Sequence, residues 1–451
     1  MKRLSPIVDG SLDSSWSIYA ILTLGTLLRL IGLYLVSTLP LQSDPLSYHR
    51  MALQLLHKVD IQPFLPPGLS YYLSFFYSLF GESELIGRAC MILPYWILSA
   101  FLFLLAKKIS SRKVANIAVL ILSVFPTFVY HSVTPLTQLP MAALLTAIAY
   151  FAIRSRQNMS WACSISLGLL LGIGTLIRPS ALLLVLFLPL YFIITKRRFL
   201  LSSVIAISAI LLISLWIFKV HKMTGEFVMV NHANSMNFFL GNNRWTPTYK
   251  TWFLGSHSSE DEAFKALRGE IKKNPLPVQD QLYMQYAISY ILSRPDLFLL
   301  RTLNRVRVYF AFDTYTGSVL MKGYDIDKRI GLGIIMIDAI FYFSIVSLAI
   351  LFLFLPSCMF GNRSAINITI AIIIIYSLPY WIAFSHPTYH FPIVPILGIL
   401  AVTSGTSLWS GPRVVWKHIA SSKRRKYFAL IGMILFVYIQ IEWIVMMYSR
   451  I

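Results

Sequence analysis

The chain has 451 residues, 57% of them hydrophobic and 13% charged, against about 45–50% and about 25% in soluble domains. That leaves too little polar surface to coat a water-soluble fold, which excludes a soluble, disordered or collagen-like protein and points to a polytopic membrane protein. The net charge of +21 implies no nucleic-acid partner, because Lys and Arg gather in the cytoplasmic loops of membrane proteins.

A spanning helix needs about 20 apolar residues. Eleven stretches qualify, beginning near residues 16, 84, 114, 135, 160, 179, 199, 331, 364, 390 and 427, so the expected fold is an all-α bundle of about 11 transmembrane helices. Residues 160–195 read as a hairpin broken at Arg178-Pro179, since proline disfavours helix in the residue before it. The apolar run Pro67–Phe80 is short and reads as re-entrant or interfacial. The stretch from Trp16 to Pro40 is too long for a signal peptide. Cys90, Cys163 and Cys358 show neither metal-ligand nor redox spacing.

Basic residues fall in every alternate loop. They are Lys2 and Arg3, then Lys107, Lys108, Arg112 and Lys113, then Arg154 and Arg156, then Lys196, Arg197 and Arg198. Arg363 follows, and finally Arg413, Lys417, Lys423, Arg424, Arg425 and Lys426. The pattern puts the N-terminus in the cytoplasm and the C-terminus outside. Facing the extracytoplasmic side together are the first loop (41–83), the turns at 131–137 and 177–179, the segment 220–328, and Ser385–Phe391. Three regions follow: 1–219, a transmembrane module with the first loop; 220–328, an outer helical loop; and 329–451, a second transmembrane module.

The first loop opens with Asp44-Pro45. Pro45 suits the first position of a helix and Asp44 the N-cap before it. Tyr48, Met51, Ala52, Leu55 and Leu56 then share one face, giving an amphipathic helix along the membrane surface. Asp44 reads either as a cap or as a general base at the mouth of a membrane cavity; the two roles are compatible.

An Asp after the first span, a juxtamembrane helix, Pro66-Pro67, and Leu79-Phe80-Gly81 with Arg88 together resemble the C-type (GT-C) glycosyltransferase superfamily. The branch resembled contains the protein O-mannosyltransferases and the lipid A aminoarabinose transferases. Leu176-Ile-Arg178-Pro179, Phe239-Leu-Gly-Asn242-Asn243 and Tyr389-His390-Phe-Pro392-Ile-Val-Pro395 fit the same order. The resemblance implies an enzyme that moves a sugar from a polyprenyl- or dolichyl-phosphate carrier to a lipid, glycan or protein acceptor on the extracytoplasmic side, with inversion. It makes Asp44 the base and implies a bacterial plasma-membrane location.

Two departures stand out. Relatives commonly carry an acid where this chain has Thr137-Gln138, and glutamine keeps hydrogen bonding but not charge. An Arg common near residue 389 is replaced by Thr388 and His390. Phosphate recognition therefore falls to Arg178, whose guanidinium suits bidentate contact and whose other reading is interfacial snorkelling, or to His390, Arg301 and Arg305. His386, Tyr389, Gln138, Asn242 and Asn243 are candidate substrate contacts. Arg29, well inside the first span, is either functional or held in a carboxylate pair. Asp338 and Glu442 read as interfacial.

In the outer loop, Ser259 before Glu260-Asp-Glu262 starts a helix that ends by Lys272-Lys273. Gln279–Ser293 and Asp296–Phe312 follow. The last sets Arg301, Arg305 and Val308 on one face, for anionic headgroups or the carrier's phosphate. Trp245, Tyr249 and Trp252 suit either sugar stacking or interfacial anchoring. Asp313, Asp325 and Asp327 are too dispersed for a metal site, no cofactor is implied, and a divalent cation is left open. A lipid or solute transporter, or a non-catalytic relative in envelope glycan assembly, is the alternative; charges gathered at one face and the lack of an inverted repeat weigh against transport.

Overall fold

The computed structural model describes residues 14, 16–249, 261–355 and 363–448. Lys2, Arg3, Trp252, Ser259, Glu260 and Cys358 lie outside them. Among the described residues the secondary structure is entirely helical. In chain order the helices are α1 (Ser17–Val36), α2 (Ser43–Leu56), α3 (Gly68–Phe80), α4 (Glu84–Ala89), α5 (Ile92–Ile109), α6 (Arg112–Val124), α7 (Pro126–His131) and α8 (Gln138–Gln157). Next come α9 (Trp161–Ile177), α10 (Leu182–Lys196), α11 (Phe199–Thr224), α12 (Ala233–Gly241), α13 (Glu262–Lys272), α14 (Leu276–Ser293), α15 (Pro295–Tyr309) and α16 (Tyr315–Tyr324). The last are α17 (Lys328–Phe352), α18 (Arg363–Ile382), α19 (Val394–Ser410), α20 (Pro412–Ala420) and α21 (Lys423–Tyr448).

Among the described residues nine helical stretches are long and apolar enough to cross a membrane, and the chain is an integral membrane protein. All eleven expected segments are helical, but two fall short of that measure. Helix α9 has 17 residues. The segment from 112 is broken because Pro126 forces Phe125 out of helical geometry, with ψ at 116°. The break frees the Thr127 amide, which donates to Asp338 Oδ1 at 3.0 Å while its hydroxyl donates to Oδ2 at 2.5 Å. Asp338 is therefore buried between helices, contrary to the interfacial placement read from sequence. Glu442 is also largely covered, paired with Arg307.

Helix α8 forms the centre of the bundle. Its Ala142, Ala143, Ala149 and Ala152 are fully or nearly fully buried, and small side chains let neighbouring helices approach closely. The closest seam joins α9 to α11. A Cβ on Gly168 would lie 2.5 Å from the Ile205 carbonyl, and one on Gly172 would lie 3.0 Å from that of Ala209. Helix α1 instead exposes Leu24, Leu27, Ile31 and Tyr34, as a lipid-facing helix does. Its Arg29 is fully buried, lies 3.4 Å over the Tyr95 ring and donates to the Gly25 and Ser123 carbonyls at 2.8 Å and to Ser132 Oγ at 3.1 Å. Among the described residues no carboxylate pairs with it; carbonyls and a ring satisfy the cation, so it pins α1 to α6.

The loops sort to two ends. At one, Lys108 reaches Gln157 at 2.7 Å and Arg156 bonds Ser364, so three of the basic loops meet. At the other, Arg88 donates to the Leu39 carbonyl at 2.8 Å, and Asp313 accepts from Thr388 at 3.0 Å. This second end carries α2, α3 and the helices α12–α16.

Candidate active site

Three contacts fix the chain just before Asp44. Arg88 holds the Leu39 carbonyl, Glu84 accepts from the Leu41 amide at 2.8 Å, and Gln42 donates to the Gly323 carbonyl at 2.7 Å. Ser43 then turns sharply at φ 50° and already belongs to α2. Asp44 consequently lies inside the first turn and is not the cap, which is Gln42. Its carboxylate is freed from capping while still favoured by the helix dipole. The Asp44 side chain is exposed at the rim, yet surrounding protein desolvates the carboxyl and raises its pKa, with Arg178 pulling the other way.

One turn on, α2 buries Tyr48, whose phenol pKa is pushed up chiefly by burial. The Thr137 side chain lies close enough to oppose that shift, and Thr137 Oγ1 accepts from Arg178 Nε at 2.9 Å. Arg178 extends where Pro179 ends α9. Its Nη1 donates to Tyr380 OH at 3.1 Å, and its guanidinium carbon is 5.7 Å from the Tyr389 ring centre. Tyr380 is itself set by Ser180 at 2.9 Å and Tyr376 at 3.3 Å. Residues from α2, α8, α9, α18 and the 3-10 turn Pro387–Ile393 thus surround one carboxylate and one arginine.

Buried polar atoms without a protein partner mark the same end: both ring nitrogens of His131, Thr134 Oγ1, Gln138 Oε1 and Ser385 Oγ. His131 stacks on Tyr315 and lies 4.5 Å, centre to centre, from Phe391. Arg178 is close enough to act on it electrostatically.

The remaining candidates divide. Tyr389 lies against Arg178, and Gln138 is the buried residue after Thr137, which accepts from Arg178. His386 Nδ1 accepts from the Thr388 amide at 3.2 Å, and burial lowers its pKa to about 4, so it is neutral at pH 7. His390 donates from Nδ1 to the Tyr309 carbonyl at 2.7 Å and stacks on Tyr342 at 4.3 Å. It lines a cavity of 20 Å³ with Asp313 and Asp338, away from Arg178's hydrogen-bond partners. Arg301 and Arg305 are buried, as one face of α15. Arg301 donates to the carbonyls of Asn243 (2.9 Å) and Thr246; Arg305 donates to those of Gly241 and Ile382 (2.8 Å) and to Asn242 Oδ1 (2.9 Å). Backbone carbonyls thus take Nη donors of both, and each Nε is buried without a partner. Asn242 and Asn243 likewise spend their amides on the local turn. Among the described residues no group of three or more His, Cys, Asp or Glu side chains is placed to hold a metal ion.

Tyr48, Thr137, Tyr376, Tyr380 and Asp313 were not singled out from sequence as site residues. The signal available was tyrosine at i and i+4 in an apolar span, Tyr376 and Tyr380, which puts two hydroxyls on one face.

The fold and site define a polytopic helical membrane protein with an acid–arginine centre at one end of the bundle. Residues 65–223 match the family model described as dolichyl-phosphate-mannose-protein mannosyltransferase. The match covers about a third of the chain and is a likeness over those residues. Among solved structures it is similar to the archaeal oligosaccharyltransferase AglB from Archaeoglobus fulgidus in complex with an inhibitory peptide and a dolichol-phosphate, at 13% identity and TM-score 0.45, covering 94% of this chain and 55% of that one. It is also similar to ArnT from Cupriavidus metallidurans bound to undecaprenyl phosphate, at 12% identity and TM-score 0.42, covering 88% and 80%. The chain therefore spans about 55% of the oligosaccharyltransferase's length. No curated protein matches.

Proposed function

We propose that the protein transfers a sugar from a polyprenyl- or dolichyl-phosphate carrier to an acceptor, with the Asp44 end of the bundle on the extracytoplasmic side and residues 220–328 as its outer module. One observation carries this: Asp44 and Arg178, distant in sequence, come within electrostatic reach at the same end of the bundle. A base and a cation are what displacement at an anomeric carbon from phosphate requires. Asp44 takes the proton of the acceptor's nucleophilic group as that group bonds to the anomeric carbon. The bond from that carbon to the phosphate oxygen breaks, the configuration inverts, and the phosphate leaves against Arg178.

The surroundings suit both roles. A raised pKa makes Asp44 a stronger base, and Arg178 opposes the rise that burial causes. Thr137, Tyr380 and Tyr389 hold the guanidinium in place, so little reorganisation accompanies the developing phosphate charge. Gln138 in place of an acid leaves Asp44 as the carboxylate at this centre.

The test is Asp44→Asn in membranes supplied with a labelled polyprenyl-phosphate sugar. Loss of a positioned general base lowers the rate by about 10²–10⁴; transfer at near wild-type rate would overturn the assignment.

A further inference from the structure

A cleft of about 560 Å³ opens in the outer module, away from Asp44 and Arg178. Its size is in the range of small-ligand sites. One wall is α14, which presents Tyr286, Ser289, Tyr290 and Ser293 at i, i+3, i+4 and i+7, a single helical stripe. The other wall carries Arg244, Trp245 and Leu267.

The aromatic walls are fixed from behind. Asn243 Oδ1 accepts from the Trp245 amide at 2.8 Å and the Thr246 amide at 2.9 Å, which sets the turn that aims Trp245. Phe264 packs against the indole at 5.1 Å, and Arg244 lies 4.1 Å from the ring centre. The buried Arg301 lies 5.2 Å from the Tyr290 ring while its Nη1 holds the Asn243 carbonyl, so one cation braces both walls. Arg305 then ties Asn242 to the Ile382 carbonyl, a few residues before Tyr389. The cleft is thereby joined through protein to the wall that contacts Arg178.

We infer that this cleft is a saccharide-binding subsite, holding the glycan part of the acceptor while Asp44 acts on it. A sugar ring has an apolar C–H face and a rim of hydroxyls. The stripe supplies tyrosine rings for the first and serine and tyrosine hydroxyls for the second, and Arg244, exposed at the mouth, suits an acidic sugar. A lipid tail would leave these hydroxyls facing hydrocarbon, which is costly. The assignment of a glycan acceptor rests on the transferase reading; the cleft's chemistry does not.

The experiment is saturation-transfer NMR on the full chain in lipid nanodiscs, with mannobiose, chitobiose and a glucuronic-acid disaccharide as probes. Saturation reaches at least one of them with the wild type and equally with Asp44→Asn. Binding weakens about tenfold or more in Trp245→Ala and in Ser289→Trp, which fills the cleft from an exposed position; tenfold is about 1.4 kcal/mol. No saturation of any probe by the wild type, or unaltered binding by Ser289→Trp, overturns the inference. If Asp44→Asn abolishes transfer but no saccharide binds, the cleft assignment fails and the transferase reading stands. If saccharide binds yet Asp44→Asn remains active, the catalytic reading fails and the subsite stands.

Discussion

Replacing Arg178 separates its structural from its chemical role. In Arg178→Met the two acceptors it leaves are both hydroxyls. Tyr380 retains Ser180 at 2.9 Å and Tyr376 at 3.3 Å, and Thr137 keeps the Tyr48 side chain as a neighbour. Methionine also removes a cation that burial disfavours. The net stability cost is then small, about 1 kcal/mol, and the melting midpoint in nanodiscs moves by about 3 °C or less. The departing phosphate loses up to two charge-assisted hydrogen bonds worth about 1.5–3 kcal/mol each. At about 1.36 kcal/mol per decade, kcat/KM falls by about 10²–10⁴. Arg178→Lys keeps the charge but not the fork, and falls by about 10–100-fold. Because Arg178 holds the Asp44 pKa down, its removal also raises that pKa. A base works only when deprotonated, so the acid limb of residual activity moves to higher pH. Transfer of labelled sugar in proteoliposomes across pH 5–9, beside melting curves, reads all of this (the pH span is about two units either side of neutrality). More than about a tenth of wild-type activity in Arg178→Met, or a loss that merely follows unfolding, would refute the reasoning.

Three further outcomes are expected. Burial places the Asp313 carboxyl at about 6, above the unfolded value of about 3.9. The folded chain therefore binds this proton more tightly, and Asp313's contribution is full below about pH 4 and lost as pH rises through about 6. Wild-type melting temperature should fall over that window relative to Asp313→Asn; parallel curves contradict this. A Cβ on Gly68 would lie 2.6 Å from Ile177 Cγ1 and 2.9 Å from its amide, so Gly68→Ala pushes α3 off the strand of chain leading to Arg178. Overpacking of this kind costs about 1–3 kcal/mol, visible as a lower midpoint with reduced transfer. Arg305→Met orphans the Gly241 carbonyl and Asn242 Oδ1, while the Ile382 carbonyl keeps Asn242 Nδ2 at 3.1 Å. At about 1–3 kcal/mol per unsatisfied group it destabilises strongly and leaves donor KM unchanged in the folded fraction. A raised KM with normal melting would instead restore Arg305 to the phosphate site.

Span positions were legible because apolar length and Pro179 speak directly about backbone. Of the basic loops, those at Lys108, Arg156 and Arg363 do meet at one end of the bundle. What sequence could not give was which polar groups face each other. Arg301 and Arg305 look like a phosphate grip on one helix face, but only tertiary packing shows backbone carbonyls already occupying their donors. Asp44 reads as a cap because Asp-Pro is a common helix opening, whereas the left-handed turn at Ser43 starts α2 earlier and releases the carboxylate. Tyr380 lies in a span whose hydropathy hides its hydroxyl, so the group that positions Arg178 was silent until α18 was set beside α9. Asp338 looked interfacial because the Pro126 break that supplies its donors lies 211 residues away in the chain.

The glycine seam between α9 and α11 bears on how the site moves. With backbone against backbone at Gly168 and Gly172, the two helices have almost no side-chain layer to slide on, and they behave as a single strut tipped by Arg178. Gly68 of α3 rests on Leu176 and Ile177 at the same tip, and Met51 and Leu55 of α2 pack with Leu176 and Trp216, so the wall that carries Asp44 is seated on this strut as well. A bulkier residue at Gly68, Gly168 or Gly172 would therefore be felt at Arg178 from a distance, through backbone alone.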